Sequence, residues 1–364
     1  MKNMNSKKMP EKISSLHDDI LVPKAMEHLG EYKDYPERFD PKDKSVLTRL
    51  EQFGVDIGAA GKVFGKEINE FTWEEYTKLA GEAIGARYDV IVGSVFDQYM
   101  LPNPENPDSE IRWQKMLKLI ERYEAMNESV GLNLIKRKAD FQESGNLVLG
   151  LEAGAHLIFS MADVKKLEDH NVKIFGFQYN KDTPLAANEG LTQFGREVAR
   201  YLFDRNLIID LAHAGYKTRY DIMGLAEDLG KGNLVSYTHG SSEEDIIAGW
   251  KDKIGERALK TAEVGRLIKI GGIIGLGVTK PFFSSARKIA ERINDIIQLE
   301  NGVDRIAIGT DFGGVPPVFL NEIRNPDDFK KLADLFSEDF NISDEKVNKI
   351  LRLNAREWMQ KAID

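Results

Sequence analysis

Leu207-Ile208-Ile209-Asp210-Leu211-Ala212-His213 is an apolar run that ends on a histidine, and the pattern recurs along the chain. Leu234-Val235-Ser236-Tyr237-Thr238 leads into His239, and Asn146-Leu147-Val148-Leu149-Gly150-Leu151 leads into Glu152. Arg305-Ile306-Ala307-Ile308-Gly309-Thr310 leads into Asp311, and Ile13-Ser14-Ser15-Leu16 into His17-Asp18-Asp19. Each run is short and closes on residues that bind metal ions or move protons. A parallel strand buried on both faces reads as such a near-continuous apolar run. In a closed (β/α)8 barrel all strand ends converge on one C-terminal face, so residues far apart in sequence can meet there. The pattern therefore predicts an α/β fold of the TIM-barrel type and a metal site together.

Helical stretches alternate with these runs, the βα rhythm of a parallel sheet. Ser109 is placed to cap a helix with an apolar stripe of Trp113, Met116, Leu117, Ile120 and Tyr123 and a polar face of Lys115, Lys118, Glu121 and Arg122. Thr192 caps another, with Phe194, Val198, Tyr201 and Leu202 facing inward. Asn325-Pro326 reads as an N-cap followed by proline in the first turn, and Ser343 opens a last helix with Val347, Ile350 and Leu351 on one side. Tyr88 to Phe96 reads as the second strand. The long interval before it implies a helical insertion over about 31–86 that packs over a barrel end, since βα loops usually have two to six residues. The proline-rich stretch Pro102 to Pro107 would contribute to the rim. The expectation is one barrel domain over 1–364.

Composition narrows the function. A 364-residue chain with 42% hydrophobic residues can bury a large core, and a net charge of −9 disfavours nucleic acid, whose phosphates require a basic face. No stretch of 18 or more apolar residues suggests a membrane span. Lysines between Met1 and Lys12 have no apolar segment behind them, unlike a secretory signal. Absence of cysteine excludes disulfides, thiolate ligands and thiol catalysis. A soluble, cytoplasmic protein acting on a small molecule is expected, with a homodimer left open.

Taken singly, the candidate ligands have plain alternatives. His17-x-Asp19 also fits a solvated turn, His213 a hydrogen-bonded core residue, and His239 a helix cap. Their conjunction at successive strand ends points to a metal. His28, His156 and His170 lack that setting and read as structural. Imidazole and carboxylate donors without thiolate suit Zn2+, with Mn2+, Co2+ or Fe2+ as alternatives. Five donors exceed the usual set of one catalytic zinc, and two metals sharing a carboxylate fit the number better.

These motifs resemble the membrane (renal) dipeptidase family of the amidohydrolase superfamily, from about Ser15 to the C-terminus and most clearly from Gly145 to Gly314. Ser15-Leu16-His17-Asp18-Asp19 is similar to the family's Asp-Gly-His-Asn-Asp, and Gly150-Leu151-Glu152-Ala153-Gly154 to Gly-Ile-Glu-Gly-Gly. The most specific piece is Gly190-Leu191-Thr192-Gln193-Phe194-Gly195 followed by Ile209-Asp210-Leu211-Ala212-His213. Tyr237-Thr238-His239-Gly240 resembles Phe-Ser-His-Ser, and Gly309-Thr310-Asp311-Phe312-Gly313-Gly314 resembles Gly-Ser-Asp-Phe-Asp-Gly.

The resemblance implies two zinc ions, one held by His17, Asp19 and Glu152 and the other by Glu152, His213 and His239. It implies Asp311 as acid/base and Arg257 as the anchor for a substrate carboxylate, with Arg266 as competitor. Two departures stand out. Tyr179 replaces a histidine that helps polarise the scissile carbonyl, and Gly313 replaces the second aspartate of Asp-Phe-Asp-Gly. A tyrosine hydroxyl can still donate to an oxyanion. Hydrolysis of a dipeptide or small acyl amino acid by a metal-generated hydroxide is the main expectation. Lactone, ester or cyclic-amide hydrolysis on the same site is the alternative, and a catalytically silent metal-binding barrel is a third reading.

Overall fold

Apolar runs become parallel strands because their residues are buried from both sides: every residue of Tyr88–Val95 and of Asn146–Leu151 is buried in the computed structural model. The structure describes residues 10–18, 50–53, 55–56, 60, 73–96, 100–101, 108–280, 282–312, 320 and 322–363. Among these, eight strands form the barrel: β1 (Ile13–Asp18), β2 (Tyr88–Val95), β3 (Asn146–Leu151), β4 (Val172–Gly176), β5 (Ile208–Asp210), β6 (Val235–Tyr237), β7 (Ile273–Leu276) and β8 (Ile306–Ile308). Each pairs in parallel with the next, and β8 pairs with β1, which closes the sheet. The expected (β/α)8 architecture is therefore observed, with a short extra strand at Asn133–Leu134 beside β3.

Helices alternate with the strands. α1 (Trp73–Arg87) leads into β2, and α2 (Ser109–Val130) and α3 (Met161–Asp169) flank β3. α4 (Gln193–Asp204), α5 (Tyr216–Asp228), α6 (Thr261–Ile270) and α7 (Ala286–Ile297) each precede the next strand. α8 (Phe329–Asp339) and α9 (Asn354–Ala362) close the chain. Several helix starts follow the sequence signals. Thr192 accepts from Gly195 N, Ser343 from Lys346 N, and Asn325 from Asp327 N ahead of a short turn into α8. At α2 the cap is Asp108, not Ser109: its carboxylate accepts from the amides of Glu110 and Ile111. The stripe of Trp113, Met116, Leu117, Ile120 and Tyr123 is buried as expected, but so is Lys115.

The lower, N-terminal end of the barrel is tied by charge. Asp89, near the start of β2, is fully buried and pairs with Arg352 and Arg356 from the C-terminal helical segment. Asn146, first in β3, donates to the Asp89 carbonyl at 2.7 Å. Most of the expected insertion over 31–86 and all of 102–107 lie outside the described residues. No helix among the described residues is long and apolar enough to cross a membrane.

Candidate metal centre

At the opposite, C-terminal end, Glu152, His213 and His239 bring one ligand atom each to within 4.8 Å of one another. Glu152 directly follows β3, whereas His239 lies two residues past β6 and His213 three past β5. The three candidate ligands thus sit in the turns beyond the strands rather than on their last residues. At His213 the bend is a left-handed backbone with φ of 62°. At His239 it is close packing: a Cβ on Gly309 would lie 1.8 Å from the Thr238 carbonyl oxygen, so only glycine fits beside this turn.

Hydrogen bonds set which ring nitrogen faces the centre. Asp210, at the end of β5, accepts from the Thr238 amide at 2.8 Å and the Thr238 hydroxyl at 2.7 Å. With its proton committed to Asp210, the Thr238 oxygen accepts from His239 Nδ1 at 3.1 Å, which leaves Nε2 as a lone pair. His213 Nδ1 donates to Asn180 Oδ1 at 3.3 Å, and its Nε2 is likewise a lone pair. The two Nε2 atoms stand 2.9 Å apart, with Glu152 Oε1 2.8 Å from His213 Nε2 and 3.9 Å from His239 Nε2. Three lone-pair donors converging in a buried pocket repel one another without a cation. The donor set therefore fits a divalent metal of the zinc type. Ser94, near the end of β2, donates to Glu152 Oε2 at 2.9 Å, and its own carbonyl accepts from Tyr123 at 2.8 Å.

Asp311 is buried three residues past β8 and stands outside the triad. The preceding Thr310 donates through its hydroxyl to Asp18 and through its amide to Ser15 Oγ, which fastens this turn to β1. Asp311 has φ of 57°. Among the described residues the non-glycine positions with positive φ are Asn171, Asn180, Asn206, Asn301, Asn341, His213 and Asp311. Asparagine, aspartate and histidine are the non-glycine residues enriched in this region, and the two that are not asparagine, His213 and Asp311, both belong to the candidate site.

Arg257 reaches the same cluster, its Nη2 donating to His213 Nε2 at 2.9 Å, while its Nε is buried with no hydrogen-bond partner among the described residues. Arg266 instead pairs with Glu227 at 2.6 Å away from the cluster, which separates the two candidates. The Tyr179 ring stacks on the His213 imidazole, centroids 4.2 Å apart, with Phe96 behind it at 5.0 Å. A cavity of about 310 Å³ opens here, lined by His213, Arg257, Asn180, Gln178, Lys181 and Lys251 among others. A wider cleft of about 590 Å³ adjoins it and shares Gln178, Asn188, Gly215 and Glu256. These volumes suit a small ligand.

Of the remaining expected site residues, His17 is the penultimate residue of β1, and Asp19 and Gly313 lie outside the described residues, as does His28. His156 is buried outside the triad, and burial pushes its pKa below the usual histidine value. His170 ends α3, 3.9 Å from Glu124. Sequence reading missed Ser94, Asn180, Asp210 and Thr238. Only Thr238, a hydroxyl beside a candidate ligand, carried a local signal.

The sequence profile of the membrane dipeptidase family, peptidase family M19, matches residues 87–362. Solved structures share the fold at low identity. A metallopeptidase from Rhodobacter sphaeroides, liganded with a phosphinate mimic of the dipeptide L-Ala-D-Ala, superposes with a TM-score of 0.65 at 13% identity, covering 96% of this chain and 99% of that one. A dipeptidase of family M19 gives 0.62 at 14% identity over 78% and 88%, and an amidohydrolase from Pseudomonas aeruginosa gives 0.59 at 18% over 76% and 89%. With the profile spanning most of the barrel and the triad at its C-terminal face, the chain belongs to the membrane dipeptidase family and is a metal-dependent, dipeptidase-like hydrolase.

Proposed function

We propose that the protein hydrolyses the amide bond of dipeptides or similar small acyl amino acids at a pair of zinc ions. His17, Asp19 and Glu152 would hold one metal, and Glu152, His213 and His239 the other. Accepting from Ser94 uses one lone pair of Glu152 Oε2 and leaves another for the second metal. Bound metals supply a water of lowered pKa, about 7, and a Lewis acid for the carbonyl. Asp311 takes the proton of the attacking water and returns it to the leaving amine. Arg257 fixes the substrate carboxylate, since a guanidinium matches its geometry, and Tyr179 donates its hydroxyl to the developing oxyanion. The observation that carries the proposal is the convergence of three lone-pair donors beside a guanidinium whose Nε has no partner among the described residues. The acidic, cysteine-free composition favours a cytoplasmic setting.

Tyr179 at the position of the family's histidine favours a second reading, lactone, ester or cyclic-amide hydrolysis on the same metals. Elemental analysis of protein reconstituted with excess zinc, followed by a screen of dipeptides, acyl amino acids and lactones, separates the two. Close to two metals per chain with dipeptide turnover is expected. Turnover of lactones alone selects the second reading, and protein without tightly bound metal overturns both.

A further inference from the structure

Arg219 lies in α5, six residues beyond His213, and is 1% exposed. A guanidinium has five N–H donors, and here all of them are used. Nε and Nη2 form a fork on Glu263, at 2.7 and 2.9 Å. Nη1 donates to the carbonyls of Ala214 at 2.6 Å and Glu256 at 2.8 Å, and Nη2 also donates to the carbonyl of Ala258 at 3.0 Å. Ala214 follows His213, and Glu256 and Ala258 flank Arg257. The carbonyl between them, that of Arg257 itself, accepts from the Tyr237 hydroxyl at 3.0 Å. Glu263 also accepts from the Lys260 amide at 2.9 Å, anchoring the clamp to the start of α6.

We infer that Arg219 is a positioning residue: its buried guanidinium fixes the turn carrying His213 against the turn carrying Arg257, and so sets where a substrate carboxylate sits relative to the metals. The inference rests on the reading of Arg257 as carboxylate anchor. The geometry argues for registration rather than general stability, because the three carbonyls it binds belong to the neighbours of these two residues. A buried arginine paired with a glutamate is weak evidence for stability, since desolvation offsets much of the attraction. A five-way fork instead holds a fixed distance between its acceptors, which a lysine cannot do.

Arg219→Lys, loaded with zinc, tests this by two readouts. Compared with the zinc-loaded wild type, its crystal structure should keep Glu152, His213 and His239 converged and displace the Arg257 guanidinium relative to them. Binding of a phosphinate dipeptide analogue and of its C-terminal carboxamide should be measured by calorimetry alongside. The preference for the free acid should fall at least tenfold, with metal content unchanged. An Arg257 guanidinium in its wild-type place, or both compounds weakening equally, overturns the inference. If Arg219→Lys does not fold, Glu263→Gln keeps the carbonyl bonds and removes the ionic partner. It should shift the same two readouts in the same direction by less, and no shift there overturns the inference too. A wild-type protein that binds both compounds equally refutes the anchor role of Arg257 instead, and the crystallographic readout then decides the clamp by itself.

Discussion

Asp89 and Glu152 are carboxylates at opposite ends of one barrel, and they keep opposite company. Asp89, near the start of β2, meets two arginines that belong to the chain. Glu152, just past β3, meets two imidazoles that both turn lone pairs toward it, and the guanidinium nearby donates to His213 Nε2. Where the sequence supplies the cation, the carboxylate joins the C-terminal helical segment to the barrel and serves folding. Where the sequence assembles three acceptors and a single guanidinium, the cluster could take a further cation from solution, the proposed basis of function. TIM barrels divide labour in this way, chemistry at the C-terminal face and stability at the other.

The contrast breaks if changes at one end produce the phenotype of the other. The largest effect is expected for Glu152→Gln, which should empty both metal positions together and abolish turnover with little change in melting temperature, as checked by elemental analysis and calorimetry. Asp311→Asn should keep the metals and lose about 10²–10⁴-fold in rate; loss of metal with this variant would make Asp311 a ligand. Tyr179→Phe should lower kcat by roughly 10²–10³ with KM nearly constant if its hydroxyl meets the oxyanion. A shift in KM and substrate preference would mean that the ring only shapes the cavity. At the other end, Arg352→Met should cost about 3 kcal/mol in denaturant unfolding, near the lower limit for breaking a buried pair because Arg356 remains. Its metal content and kcat should not move. Thr238→Val frees the His239 tautomer and should weaken metal affinity by roughly 10–100-fold, while the hydrogen bond lost from Asp210 should cost about 1–3 kcal/mol of stability.

The fold was legible because burial on both faces leaves little choice of residue. Leu207–His213 and Asn146–Glu152 could be read as strands running into ligands without any knowledge of pairing. Glu152, His213 and His239 were legible only jointly, since each residue type is common alone and becomes diagnostic when strand closure makes the three meet. Ser94, Asp210, Asn180 and Arg219 were not legible. Their roles depend on which hydroxyl, carbonyl or guanidinium lies across a strand or turn from them, and no local period records that. The choice of Asp108 over Ser109 as helix cap is of the same kind. Both residue types cap helices well, and the backbone turn decides between them.

His213 and Asp311 adopt the left-handed backbone that elsewhere in the described chain falls to glycine and asparagine. Such a conformation costs most residues about 1–2 kcal/mol, less for aspartate and histidine and least for glycine and asparagine. A sequence optimised for folding alone would therefore favour asparagine or glycine at both positions and erase an imidazole and a carboxylate of the site. Improving this protein by stability-guided or statistical design carries a specific hazard. On the roles proposed for His213 and Asp311, the substitutions ranked as most beneficial would include those that disarm it, so these two positions should be held fixed while the rest of the chain is allowed to vary.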